Sequence, residues 1–363
     1  TVAPVRPANA PDLLASSDSA GIDIDNITTI IKPAFQGSSV EPNALVRLRT
    51  TPVGGSPAVV RKDTVTPAGE YEVVGSALRD GRYDVGILLE DLAGNVSPAS
   101  PSLAVTIAHH SLSLTGATAN VLAGIAEGRV TGYPGIPGGV VGIQEIPVVN
   151  LNANGHGAAV TGGTGDDRLT FTPLSVNSGR LTRADSAQVL NFFNVTGDVG
   201  ISTDGGDDEV TIVGTTRGDR IRGDVDAFTT LHVDSLPLVR KPAPLVALLG
   251  LRITTAQTER IGVLARGGKD TIDFLVKDTV STHLSVDGGD PSKVRPEKGD
   301  ELIVRAGSPQ GLLKEDHSGK SGTGTVLVAY PYTTHAKTHI DFTDTEDITL
   351  KANAHKDNGK DED

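Results

Sequence analysis

Apolar residues along this chain recur at every second position, in short runs that stop at Gly, Asn, Asp or Pro. The clearest run sets Tyr83, Val85, Ile87 and Leu89 against Arg82, Asp84, Gly86 and Glu90. A period of two puts the first set on a buried face and most of the second in solvent. Val46 with Leu48, Tyr71 with Val73, and Leu103 with Val105 and Ile107 supply further strands. Asp80-Gly81, just ahead of the best run, is a tight-turn signal. Several short strands between residues 11 and 107 predict a β-sandwich. Helical spacing is scarce, and Ala243–Leu251 reads equally as a short helix or a buried strand.

Residues 108–157 are rich in Gly, Ala and Pro (Gly132-Tyr133-Pro134-Gly135-Ile136-Pro137-Gly138-Gly139) and are expected to form turns and a connecting passage with some strand. Beyond them lies an internal repeat. Thr196–Asp208 and Thr258–Asp270 align without a gap on the Thr, the Gly four residues on, the Gly-Gly and the final Asp. In the same alignment Val199 and Ile201 meet Ile261 and Val263. A carboxylate stands two residues before the first apolar residue at Asp167, Asp208, Asp219, Glu259, Asp270, Asp300 and Glu346. Copies of roughly 60 residues with insertions imply stacked β units sharing one core. The expected fold class is all-β: a β-sandwich, Ig-like by a resemblance that particular residues carry below, followed by an elongated β-solenoid-like repeat domain. The expected division is a linker at 1–10, the sandwich at 11–107, the connecting region at 108–157, the repeats at 158–350 and a charged tail at 351–363.

Composition narrows the chemistry. No Cys is present, which excludes a disulfide framework, a Cys-ligated metal site and a thiol nucleophile. Gly is 43 of 363 residues, well above the usual share of about 7%. A balance of 32 basic to 45 acidic residues gives a net charge of −13, unsuited to a nucleic-acid backbone and suited to cations. No apolar run reaches the length of about 18 residues that a membrane helix needs, so no membrane insertion is expected.

Two families are suggested by particular residues. Leu78-Arg79-Asp80-Gly81-Arg82-Tyr83-Asp84-Val85, followed by Asp91-Leu92-Ala93-Gly94-Asn95-Val96-Ser97, resembles the bacterial Ig-like domains of large surface adhesins. Asp18–Asn26 falls where that family has its opening loop, and Tyr71 replaces a common Trp. The turns Gly162–Leu169, Asp204–Val210 and Asp287–Asp290 resemble the calcium-binding nonapeptides of repeats-in-toxin proteins, although here they lie tens of residues apart. Lys269 and Lys293 intrude on two such turns.

Hard oxygen ligands on a Gly-permitted turn suit Ca²⁺. The resemblances therefore make Asp167, Asp204, Asp207, Asp208, Asp270, Asp287, Asp290 and Asp300 candidate calcium ligands in the repeats. Asp23, Asp25 and Asp91 are the candidates in the first domain. The competing reading is that each Asp caps a turn through nearby backbone.

Other chemistry is thinly represented. His335 and His339 are four apart but lie in a strand-like or loop-like setting, which suits packing or solvation better than zinc. The neighbours Asp166/Asp167 and Asp207/Asp208 point to opposite faces of a strand, so neither pair converges on one glycosidic bond. The expected function is a non-enzymatic extracellular structural module of a bacterial surface protein: an adhesin, surface-layer or filament subunit. Its expected partners are further copies or neighbouring domains of a longer chain, and surface glycans. The competing function is a carbohydrate-binding or polysaccharide-cleaving β-helix.

Overall fold

The structure is a computed structural model. It describes residues 2–352 apart from 23, 39, 135–138, 176, 215–218, 226–229, 236–251, 257, 278–282, 290–298, 308–311, 318–321, 331–336 and 346. Asp23, Asp290, Ala243–Leu251, Lys293, His335, Glu346 and the tail from residue 353 onward lie outside the described residues. The protein is all-β, and among the described residues there is no α-helix. Two units divide the chain: Thr1–Thr118 with Glu127–Leu151, and Ala119–Ala126 with Asn152–Asp363. The Gly-rich passage at 108–157 thus contributes to both.

The first unit opens with β1 (Asp12–Leu13), β2 (Ile27–Thr28), β3 (Ala34–Gly37), β4 (Leu45–Pro52), β5 (Ala58–Thr64), β6 (Tyr71–Val74), β7 (Gly81–Glu90) and β8 (Leu103–Ile107). Strands β1-β3-β6 make one sheet and β2-β8-β7-β4-β5 the other. The period-two pattern sets the core: Val85, Ile87 and Leu89 of β7 meet Phe35, Val46, Leu48 and Val73, all buried. Tyr71 fills its place in this core, where Gly37 lets the ring lie against backbone. Strand β9 (Ser111–Leu114) follows, and the chain visits the second unit at β10 (Val121–Gly124). It then returns as the hairpin β11 (Arg129–Thr131) and β12 (Val140–Gly142), and as β13 (Val148–Asn152), which runs parallel to β9.

The second unit continues with β14 (Ala158–Thr161), β15 (Arg168–Ser175), β16 (Ser178–Arg183), β17 (Val189–Phe193), β18 (Asp198–Ser202), β19 (Glu209–Val213), β20 (Asp219–Val225), β21 (Thr230–Ser235) and β22 (Arg252–Ala256). It ends with β23 (Arg260–Leu264), β24 (Thr271–Val276), β25 (His283–Asp287), β26 (Glu301–Ala306), β27 (Leu312–His317), β28 (Gly324–Ala329), β29 (Lys337–Thr343) and β30 (Asp347–Ala352). Within this unit one sheet runs β10-β14-β18-β22-β21-β20-β24-β26-β30 and the other β27-β28-β29-β25-β23-β19-β15-β16-β17.

The chain crosses from one sheet to the other after each strand or three-stranded meander. Each crossing strand lies parallel to its counterpart from a neighbouring circuit, as in β14 with β18 and β19 with β23. The meanders β15–β17, β20–β22 and β27–β29 interrupt this path with antiparallel pairs. Alternation again builds the core, with Val210, Ile212, Ile261, Ile272, Phe274, Leu302 and Val304 buried along the parallel rows.

The aligned segments of the sequence repeat fall on opposite sheets. Val199 and Ile201 lie in β18, paired with Ile253 and Thr255, whereas Ile261 and Val263 lie in β23, paired with Val210 and Ile212. The repeating element is therefore half a circuit, a strand plus one crossing turn, because both crossings use the same turn chemistry.

Candidate functional site

Four crossing turns place a small residue five positions before a buried carboxylate: Gly162 and Asp167, Thr203 and Asp208, Gly214 and Asp219, Ala265 and Asp270. Asp208, Asp219, Asp270 and Asp300 are fully buried and Asp167 nearly so. These side chains stack in two rows, each reaching back to the neighbouring circuit. Asp208 Oδ1 accepts the Asp167 N–H at 2.7 Å, and Glu259 Oε2 accepts that of Asp208 at 3.0 Å. In the other row Asp270 Oδ1 accepts the Asp219 N–H at 2.5 Å, and Asp300 Oδ1 accepts that of Asp270 at 2.8 Å. The main chain returns the contact: Glu209 N–H donates to Asp167 O at 2.8 Å, and Glu301 N–H to Asp270 O at 2.9 Å.

Burial dominates the electrostatics of these rows. It pushes the Asp270 carboxyl up to about 7, with the neighbouring Asp300 and Asp219 charges adding to the rise and the Asp219 N–H opposing it. Asp208 is raised by burial as well, although the Asp167 N–H works against it. A carboxylate between like charges in a low-dielectric row holds its proton more tightly.

The Gly-Gly pairs serve close approach between circuits. A Cβ on Gly206, whose φ is +147°, would lie 2.7 Å from the Gly165 backbone, and Gly289 sits similarly against Arg266. The remaining candidate ligands occupy the outer turns. Asp204 is exposed with φ at +66°. Asp207 donates its N–H to Asp166 Oδ1 and pairs with Arg260 at 2.7 Å. Asp287 Oδ1 accepts the Gly289 N–H at 3.0 Å.

In the first unit the loop at 18–26 receives backbone. Asp25 is buried, its Oδ1 accepting the Ile27 N–H at 2.9 Å and its Oδ2 the Gly142 N–H at 2.6 Å. Burial raises its carboxyl to about 6, against the lowering effect of those two N–H groups. Asp91 Oδ1 accepts the Ala93 and Asn95 N–H groups, and its Oδ2 the Asn95 amide, which hold its carboxyl below the usual range. Among the described residues no three His, Asp or Glu side chains gather as a set able to hold a metal ion.

Two arrangements escaped the sequence. Asp80, legible only as a turn former, accepts three successive N–H groups, from His109 at 3.1 Å and from His110 and Ser111 at 2.9 Å. Burial opposes ionisation there, but the His110 and Ser111 N–H groups outweigh it and hold the carboxyl low. His339 comes together with His283, far away in sequence, across β25 and β29. No local motif carries that juxtaposition; the pairing register of two distant strands creates it.

Comparison with known proteins assigns a class to the first unit. Residues 5–108 match the family described as bacterial Ig-like domain, so the chain carries an N-terminal Ig-like domain. Among solved structures the chain is similar to the tetra-tandem repeat in the extending region of a large adhesion protein. That likeness has 14% identity and a TM-score of 0.20, covering 68% of this chain and 48% of the other. A second likeness is to the Family 28 exopolygalacturonase of Yersinia enterocolitica, at 10% identity and a TM-score of 0.17, covering 84% and 63%. This chain spans about half the length of the adhesion-protein structure. At these TM-scores neither likeness bears on mechanism. No curated protein matches the chain. Among the described residues no helix is long and apolar enough to cross a membrane.

Proposed function

We propose that the chain is a non-enzymatic, extracellular structural module of a bacterial surface protein, serving as part of an adhesin, surface layer or filament. The carrying observation is the Ig-like domain at 5–108. The second unit supports the same reading: its buried carboxylates are spent on backbone N–H groups that fix one circuit on the next. Asp167 and Asp208 are buried while Asp166 and Asp207 are exposed, so each acidic pair is split between core and surface. A glycosidase instead needs two carboxyl groups flanking one bond. Neighbouring domains, further copies and surface glycans are the partners this reading implies. The test is antibody labelling of intact against broken cells, together with reducing-end release from acidic polysaccharides. Labelling of intact cells without release is expected; release of reducing ends would replace the module with an enzyme.

Calcium belongs to this proposal as a stiffener of the exposed turns, and it is tested by melting each unit with chelator and with millimolar Ca²⁺. A ligand that binds only the folded state raises the melting temperature. A drop on chelation assigns the turn carboxylates to the ion. Coincident curves leave them as backbone acceptors.

A further inference from the structure

The outer face of β25 and β29 gathers the imidazoles that the sequence scatters. Leu284 pairs with Ile340, and both are buried, so the residues before them, His283 and His339, stand side by side on the solvent face. Their ring centroids are 6.5 Å apart at an interplanar angle of 84°. Asp341, two residues beyond His339 on the same face, lies with its Oδ2 2.8 Å from His283 Nε2. An ionised carboxylate only accepts, so Nε2 carries the proton and Nδ1 keeps its lone pair. Thr325 fixes that carboxylate in turn, donating from Oγ1 to Asp341 Oδ1 at 2.7 Å. A hydroxyl orienting a carboxylate that orients an imidazole is the outer-shell arrangement that raises the basicity of a metal-binding His.

We propose that His283 and His339 form a two-histidine chelate for a borderline divalent transition metal, Cu²⁺ or Zn²⁺, with Asp341 as the positioning residue. Metal–imidazole bonds of about 2.0–2.1 Å place the centroids of two rings sharing one ion roughly 4.5–5.5 Å apart, so side-chain rotation that brings the rings about 1–2 Å closer closes the site. The side chains have room to turn: that of His283 is 44% exposed and that of Asp341 49%. Imidazole nitrogen selects these metals over Ca²⁺, and Cu²⁺ binds tightest in the divalent series. Water completes the coordination from the open groove that His339 and Asp341 share with Lys314 and Asp316. The other ring pair is differently placed: His109 Nδ1 lies 3.0 Å from Thr29 O, and His110 Nδ1 lies 3.5 Å from Asp80 Oδ1.

The test is titration of the untagged full chain with Cu²⁺, read by calorimetry and by electron paramagnetic resonance, with Zn²⁺ as competitor. One Cu²⁺ per chain with two nitrogen donors is expected. His283→Gln and His339→Gln each remove the two-nitrogen signal. Asp341→Asn keeps that signal and weakens binding about 10-fold to 100-fold. The double variant His109→Gln/His110→Gln binds as the parent does. Unchanged melting temperatures show that each variant folds. Stoichiometric binding that survives the loss of both His283 and His339, loss of binding in the His109/His110 variant, or no stoichiometric binding at all overturns the proposal.

Discussion

Asp270 shows what the buried rows do at the scale of one residue. Its carboxyl titrates near 7 in the folded chain and near 4 in an unfolded one. The folded state therefore holds a proton that the unfolded state releases earlier. That contribution to stability is complete below pH 4 and declines as the pH rises through 7. At about 1.4 kcal/mol per pH unit the difference is on the order of 4 kcal/mol. Thermal unfolding of the second unit is expected to show this loss between about pH 4 and pH 7. Asp270→Asn, which keeps an oxygen for the Asp219 N–H and removes the charge, is expected to flatten it. A variant as pH-sensitive as the parent would place the effect elsewhere. The sequence made this row visible, since the carboxylate two residues before each strand is a pattern of spacing. Its role was not, because a Gly-bounded Asp reads alike as a cation ligand or a backbone acceptor until its partner is known. That partner, the Asp219 N–H, lies 51 positions away.

At the scale of elements, a Gly in each three-stranded meander lies under a Phe ring. Phe171 covers Gly179, Phe274 covers Gly223 and Phe342 covers Gly324. The three rings are buried, and the chain has only 7 Phe in all. A Cβ on Gly223 or Gly324 would stand 2.5 Å from its ring, so Gly223→Ala and Gly324→Ala should each destabilise the second unit by about 1–3 kcal/mol through overpacking. Phe274→Ala should cost about 3–5 kcal/mol through the cavity it leaves. Chemical denaturation of the three variants measures both effects, and a neutral Gly223→Ala would mean that the ring can move aside. Strand existence was plain from alternation at Val210 and Ile212 or Ile261 and Val263. Meander membership was not, because antiparallel and parallel strands share the same period of two.

Over the whole molecule, the first folded unit reaches past the end of the Ig-like match at residue 108. Asp25 carries the Gly142 N–H and Asp80 the start of β9, ties that composition gave no reason to expect in a Gly-rich passage. Asp25→Ala strands a buried N–H, and its expected cost is about 1–3 kcal/mol in the melting of the first unit. An unchanged transition would make the Asp25 contact dispensable.

The meanders also carry a rule of parity. A chain that must leave a sheet in the direction it entered can lengthen its stay only by an even number of strands. β20 and β22 point the same way because β21 alone separates them, and each continues a parallel row, toward β24 on one side and β18 on the other. An insertion of one strand would deliver the chain to the wrong end of the sheet, with its carboxylate on the wrong side of the stack. Growth and loss in this architecture should therefore come in pairs of strands, with the crossing turns and their buried acids left intact on either side.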